Sequence, residues 1–190
     1  MTNKSDGIHT YNMDSGGRIA TVDTATNARN VIDYAHHEIH SGSHFFHRES
    51  YDLAKNGTVD HLIVVPDTTM WPHMTIAVGN VVSQVLVTLY EDTVVSANGT
   101  ADISYNRDRN SSKLPTTAIY TMPTVTSTGS AIANMTLGAG KNLPGGEARD
   151  SEEIILKQNS NYLLRVVEPN VAATVVNIVF DWYEHTNKTS

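Results

Sequence analysis

Cysteine is missing from all 190 residues, which excludes a disulfide scaffold, a thiol nucleophile, an iron–sulfur cluster and every cysteine-ligated zinc module. A chain of this length buries roughly 70% of the surface that its unfolded form exposes, so it needs no such staple. Charge is scarce at 17% of residues and basic charge scarcer still: 13 Lys and Arg face 20 Asp and Glu, for a net charge of -7. Phosphate binding relies on clustered Lys and Arg, so free nucleic acid is not an expected ligand. No run nears the roughly 18 consecutive apolar residues of a membrane-spanning helix, and no membrane partner is expected. Residues 1–17 lack the charged start, apolar run and small-residue cleavage site of a secretory signal. Synthesis in the cytoplasm is therefore expected, and sequons such as Asn98-Gly99-Thr100 read as composition rather than glycan sites.

What the chain has in abundance is Val, Ile and Thr, which together make 53 of the 190 residues. These β-branched side chains suit strands better than helices. Length alone predicts one domain. Residues 1–30 contain few large apolar side chains and cannot form a core of their own, so they read as an extended N-terminal arm ahead of a domain at 31–190. Short β-rich segments follow at 31–39, 44–53, 59–65, 73–82, 84–90, 100–106, 117–122, 132–137, 152–157, 162–168 and 174–183. Turn signals such as Asn56-Gly57, Asn98-Gly99 and Gly145-Gly146 separate them. Such spacing predicts an all-β, antiparallel sandwich or barrel. In 174–183, Val176, Ile178, Phe180 and Trp182 alternate with Val175, Asn177, Val179 and Asp181, the pattern of a core strand with one wetter face. Arg165, within 162–168, suits a strand edge or an interface. Only residues 92–98 and the stretch around 25–31 leave room for a turn of helix.

Five of the nine histidines fall between His36 and His47. Imidazole suits zinc, nickel, copper or iron, which makes metal binding the functional reading of this stretch. The order His36-His37-Glu38-Ile39-His40 is not the His-Glu-x-x-His motif of metalloproteases. On a strand, His36, Glu38 and His40 share one face but spread over roughly 13 Å, too far for one ion. Polar packing at a subunit interface is the preferred reading, ahead of an ion on a symmetry axis; no metal and no cofactor are expected. Arg107 and Arg109 flank Asp108 in the densest basic spot, which reads as a polar turn. Gly138-Ala139-Gly140-Lys141-Asn142 only imitates a phosphate loop, because Met135 and Asn142 stand where a Walker motif needs Gly and Ser or Thr. Glu152 and Glu153 are adjacent and would point to opposite faces of a strand. No Gly-x-Ser-x-Gly elbow occurs, and an enzyme is not expected. A carbohydrate platform built on Trp71, Tyr120, Trp182 or Tyr183 is weakly supported, and core burial is the better reading for both tryptophans.

Four strings point further: IDYAHHEIHSGS at 32–43, NRDRNS at 106–111, LGAG at 137–140 leading to GGEAR at 145–149, and DWYEH at 181–185. In these the chain resembles a widespread family of tailed-bacteriophage virion proteins of the head-decoration or minor-capsid type. The resemblance implies a jelly-roll-like antiparallel sandwich, a homotrimer, docked on the outside of a capsid. Its partner would be the major capsid protein of the same virion, with residues 1–30 lying along the lattice and cementing it. His36, His37, Glu38, His40, Arg107, Arg109, Arg149 and Trp182 are then the candidate interface residues. The rival readings are a tail-tip or fibre module that binds a host surface glycan through the loops at 106–113 and 138–149, and a small metal-dependent enzyme using His36, Glu38 and His40.

Overall fold

In a computed structural model the chain is described over residues 34–81, 83–138, 147–149, 153–169 and 171–186. The arm expected at 1–30 and residues 139–146 of the glycine-rich loop lie outside the described residues. A helix, α1 (Tyr34–His40), precedes fourteen strands among the described residues. They are β1 (His44–Leu53), β2 (Thr58–Val65), β3 (Met70–Asn80), β4 (Val85–Glu91), β5 (Val94–Ala97), β6 (Thr100–Ala101) and β7 (Tyr105–Asn106). β8 (Ala118–Thr121), β9 (Thr124–Ser127), β10 (Ser130–Leu137), β11 (Glu147–Arg149), β12 (Ile154–Ile155), β13 (Ser160–Val167) and β14 (Thr174–Thr186) complete the set.

Every pairing is antiparallel. One sheet has the order β11-β3-β14-β1-β7 with β12 also on β3, a second has β10-β4-β13-β2-β8-β6, and β5 pairs with β9. The period-2 alternation of the strands turns one face of each sheet inward. Met74, Ile178, Phe180 and Trp182 on the first sheet and Ile63, Leu164 and Val166 on the second meet in one apolar core. Burial of each such side chain contributes about 1.5–3 kcal/mol. The chain is thus an all-β sandwich of packed antiparallel sheets.

One long ribbon organises the second sheet. Residues 85–101 run antiparallel to residues 118–137, with Val85 opposite Leu137, Glu91 opposite Ser130, Val94 opposite Ser127 and Thr100 opposite Thr121. Its two ends join the same sheet on opposite sides of the β13–β2 pair. The ribbon therefore bends twice, at Asp92 (φ 60°) with Gly129 (φ 78°) and at Gly99 (φ 91°) with Met122 (φ 55°). Left-handed backbone on both strands at each bend is where glycine serves best, and a side chain at Gly99 would run into the carbonyl oxygen of Thr121. Beyond β6 the chain leaves the second sheet, and residues 102–104 cross to β7 in the first.

Several expectations need correction. The strand expected at 31–39 is, over its described part, helix α1, and it closes with a Gly42 cap: Gly42 N–H donates to Ile39 C=O at 3.0 Å and Ser43 N–H to Glu38 C=O at 2.9 Å. Residues 92–98 hold strand β5 instead of a helical turn, because they extend the ribbon. The strand expected at 100–106 is two short strands in different sheets. Arg165 sits on β13, an interior strand between β4 and β2, where it forks onto Asp60 at 2.7 and 2.8 Å. A charged pair across neighbouring strands, not an edge, accommodates it.

Candidate functional site

The described residues of the strings at 32–43, 106–111 and 181–185 converge on one seam. Asn106 Nδ2 donates to Gly42 C=O at 2.7 Å, Arg107 N–H to His44 C=O at 2.8 Å, and Glu184 N–H to Ser43 C=O at 2.9 Å. Asp181 is the hub: its carboxylate takes His44 Nε2 on one side and the Arg107 guanidinium on the other, the Nε contact being 3.3 Å. His44 Nδ1 faces the Ala35 carbonyl at 3.3 Å, which ties α1 to the sheet. Burial lowers the pKa of His44, and the nearby Arg107 charge lowers it further, against the opposing pull of the Ala35 carbonyl.

The sequence-nominated residues separate into three environments. His36 and His40, one helical turn apart, are exposed, with their Nε2 atoms 3.1 Å apart. His37 is exposed as well, its Nδ1 3.4 Å from Glu38 Oε1. Glu38 itself is buried at 5% exposure and accepts the Ser41 hydroxyl at 2.9 Å, so it is a helix-anchoring carboxylate rather than an interface group. Trp182 has no exposed surface and donates its indole N–H to Glu184 at 3.0 Å; it belongs to the core, not to an interface. Arg107 is committed to Asp181 and also lies over the Phe46 ring at 5.7 Å. Arg109 is exposed and covers the Tyr105 ring at 5.1 Å. Arg149 lies on β11 opposite Ala77, far along the sheet order from β7.

A cluster the sequence reading did not assemble sits between the sheets. His47 and Glu49 on β1 and His61 on β2 join Asp102, which enters from the 102–104 crossing. One ligand atom each from His47, His61 and Asp102 lies within 4.8 Å of the others. Asp102 Oδ2 is 3.7 Å from His61 Nδ1 and 3.8 Å from His47 Nε2, while Glu49 Oε2 is 3.4 Å from His47 Nε2. His61 is wholly buried and His47 7% exposed, both against Phe180.

Surrounding groups orient this cluster. His47 Nδ1 lies 3.1 Å from the Ile103 carbonyl, which can only accept, so the neutral ring carries its proton on Nδ1 and presents a lone pair at Nε2. Thr121 Oγ1–H donates to Asp102 Oδ1 at 3.0 Å, leaving Oδ2 turned to the histidines. The Tyr51 hydroxyl donates to Glu49 Oε2. Burial above all pushes the pKa of His61 down to about 4, and a proton on the neighbouring His47 would add to the effect. Burial also raises Asp102. Only one signal in the sequence marks these residues, namely that His47, Glu49 and Tyr51 share the inward face of a strand; His61 and Asp102 are remote in the chain.

No protein-family model, curated protein or solved structure matches this chain.

Proposed function

We propose that the protein is a structural component of a tailed-phage virion, a decoration protein that binds the outside of the head as an oligomer and cements the capsid lattice. The observation that carries this reading is the exposed span of the ribbon. β5 and β9 bury neither face, and apolar Val94 and Met122 stand 56% and 79% exposed there. A two-stranded ribbon with apolar side chains open to solvent suits docking on a protein surface. The resemblance in the four strings supplies the identity of that surface, the major capsid protein, together with the trimeric state and the jelly-roll form. The bent ribbon with both ends in one sheet is compatible with that form. Residues 1–30 would add contact area along the lattice, and linked contacts raise avidity without a single deep pocket.

The test is binding of purified full-length protein to expanded capsid shells that lack it, with bound copies counted. Saturable binding, weakened by Met122→Asp or Val94→Asp and by removal of residues 1–30, is the expected result. Failure of the full-length protein to bind overturns the decoration reading. A second observation favours the tail-tip alternative: Tyr105 is 45% exposed beside Arg109. Glycan binding that disappears on Tyr105→Ala, without shell binding, would establish that alternative.

A further inference from the structure

The cluster between the sheets has more polar capacity than its neighbours satisfy. His47 Nε2, both ring nitrogens of His61 and Asp102 Oδ2 are buried without a hydrogen-bond partner. Buried polar atoms are rarely left this way, since each costs about 1–3 kcal/mol when unsatisfied. Here four such atoms belong to three side chains that converge on one another. A single particle that accepts lone pairs from imidazole nitrogens and a carboxylate oxygen would satisfy His47 Nε2, one nitrogen of His61 and Asp102 Oδ2 at once.

We propose that His47 Nε2, His61 Nδ1 and Asp102 Oδ2 bind a divalent transition-metal cation of the zinc class, with the fourth position left to water on the side of Glu49. The distances suit it. A tetrahedral ion bound at about 2.0–2.2 Å holds its ligand atoms about 3.3–3.6 Å apart. Asp102 Oδ2 stands 3.7 Å from His61 Nδ1 and 3.8 Å from His47 Nε2, and the three ligand atoms all lie within 4.8 Å of one another, so binding draws the side chains inward. Two imidazoles select zinc, cobalt, nickel, copper or iron over calcium and magnesium, which favour all-oxygen sites. Two partners already hold ligands in the ligating orientation: the Ile103 carbonyl on His47 and Thr121 on Asp102. The Glu49 side chain is 39% exposed, which gives the ion a path from solvent.

The position of the site assigns it a structural role. β1 belongs to one sheet and β2 to the other, and the 102–104 crossing joins the two at their common edge. An ion there would tie both sheets and the crossing together in the folded state, and binding to the folded state alone raises its stability. This inference stands apart from the virion reading, because it concerns only the chain's own side chains.

The test uses the full chain carrying His36→Ala and His40→Ala, which removes the adjacent surface pair, stripped with a chelator and titrated with Co2+ and then Zn2+. One Co2+ per chain, a visible d–d absorption of a four- or five-coordinate ion, displacement by Zn2+ and a rise in the thermal midpoint are expected. Asp102→Asn and His61→Gln should abolish the absorption. Thr121→Val, which leaves every ligand in place, should weaken binding about 10–100-fold, as loss of an outer-shell partner does. Absence of saturable binding in the parent chain overturns the proposal without recourse to any variant. So does an unchanged absorption in Asp102→Asn, provided that circular dichroism shows this variant folded.

Discussion

Trp182 and Glu184, two residues apart on the inward face of β14, share a hydrogen bond of 3.0 Å from the indole N–H to the carboxylate Oε1. That oxygen also accepts Thr117 N–H at 2.9 Å, and Oε2 accepts the Thr116 N–H and hydroxyl at 2.8 and 2.7 Å. Glu184 is 2% exposed and works solely as an acceptor for four donors. The amide nitrogen of glutamine would face donors, so Glu184→Gln should lower unfolding stability by about 2–4 kcal/mol, the scale of several lost charge-assisted bonds. Denaturant unfolding measures it. A change below about 0.5 kcal/mol, the size of a neutral surface substitution, would show that this network contributes nothing.

Asp181 holds His44 and Arg107 together, whereas Arg109 rests on an exposed tyrosine. Removing the hub leaves the buried His44 ring and the Arg107 guanidinium without their carboxylate, and Arg107 still reaches solvent at 33% exposure. Asp181→Ala should therefore cost about 1–3 kcal/mol, allowing for solvent screening. Arg109→Ala should stay within about 0.5 kcal/mol. Equal effects from the two substitutions would contradict the division of these arginines into a structural and a surface residue.

Acid should weaken the fold through Glu168. Burial alone would raise its pKa, yet the N–H groups of Asn56, Val171 and Ala172 and the Ser83 hydroxyl outweigh burial and bring the carboxyl from 4.5 down to about 2. The unfolded chain then takes up the proton first. The contribution is present above pH 4.5 and is lost as pH falls toward 2. Wild type should exceed Glu168→Gln in stability near neutral pH, and the gap should narrow through this window. Unfolding curves for both proteins across the range test the sign: a gap independent of pH would refute it.

The bends of the ribbon depend on backbone that few residues adopt. At φ 91°, Gly99 is outside the comfortable range of an L side chain, and its missing Cβ would collide with backbone on the opposing strand. Gly99→Ala should cost about 2 kcal/mol or more, combining strain and clash. A thermal midpoint equal to wild type would mean that the bend adapts.

The fold class was legible because it is written in local pattern. Val176, Ile178, Phe180 and Trp182 alternate over a single strand, and the structure buries all four. The segment read as 44–53 coincides with β1, and most other strands agree within a few residues. Helix α1 was less legible, since seven residues carry little period, although Gly42 directly after His40 and Ser41 has the form of a helix C-cap. The pairing of Arg165 with Asp60 was hidden, because strand neighbours 105 positions apart leave no local trace.

The candidate cation site lies at the far end of this scale. His47 stood within a histidine-rich run that draws attention to His36 and His40, yet its partners are His61, on the other sheet, and Asp102, on the crossing between sheets. Side-chain alternation along a strand is a property of the backbone and can be read residue by residue. Which strands become neighbours, and where the chain passes from one sheet to the other, depends on long-range pairing and on the bends at Asp92–Gly129 and Gly99–Met122. Composition and pattern therefore determined an all-β sandwich, while tertiary packing alone decided which imidazoles and carboxylates would share one buried point.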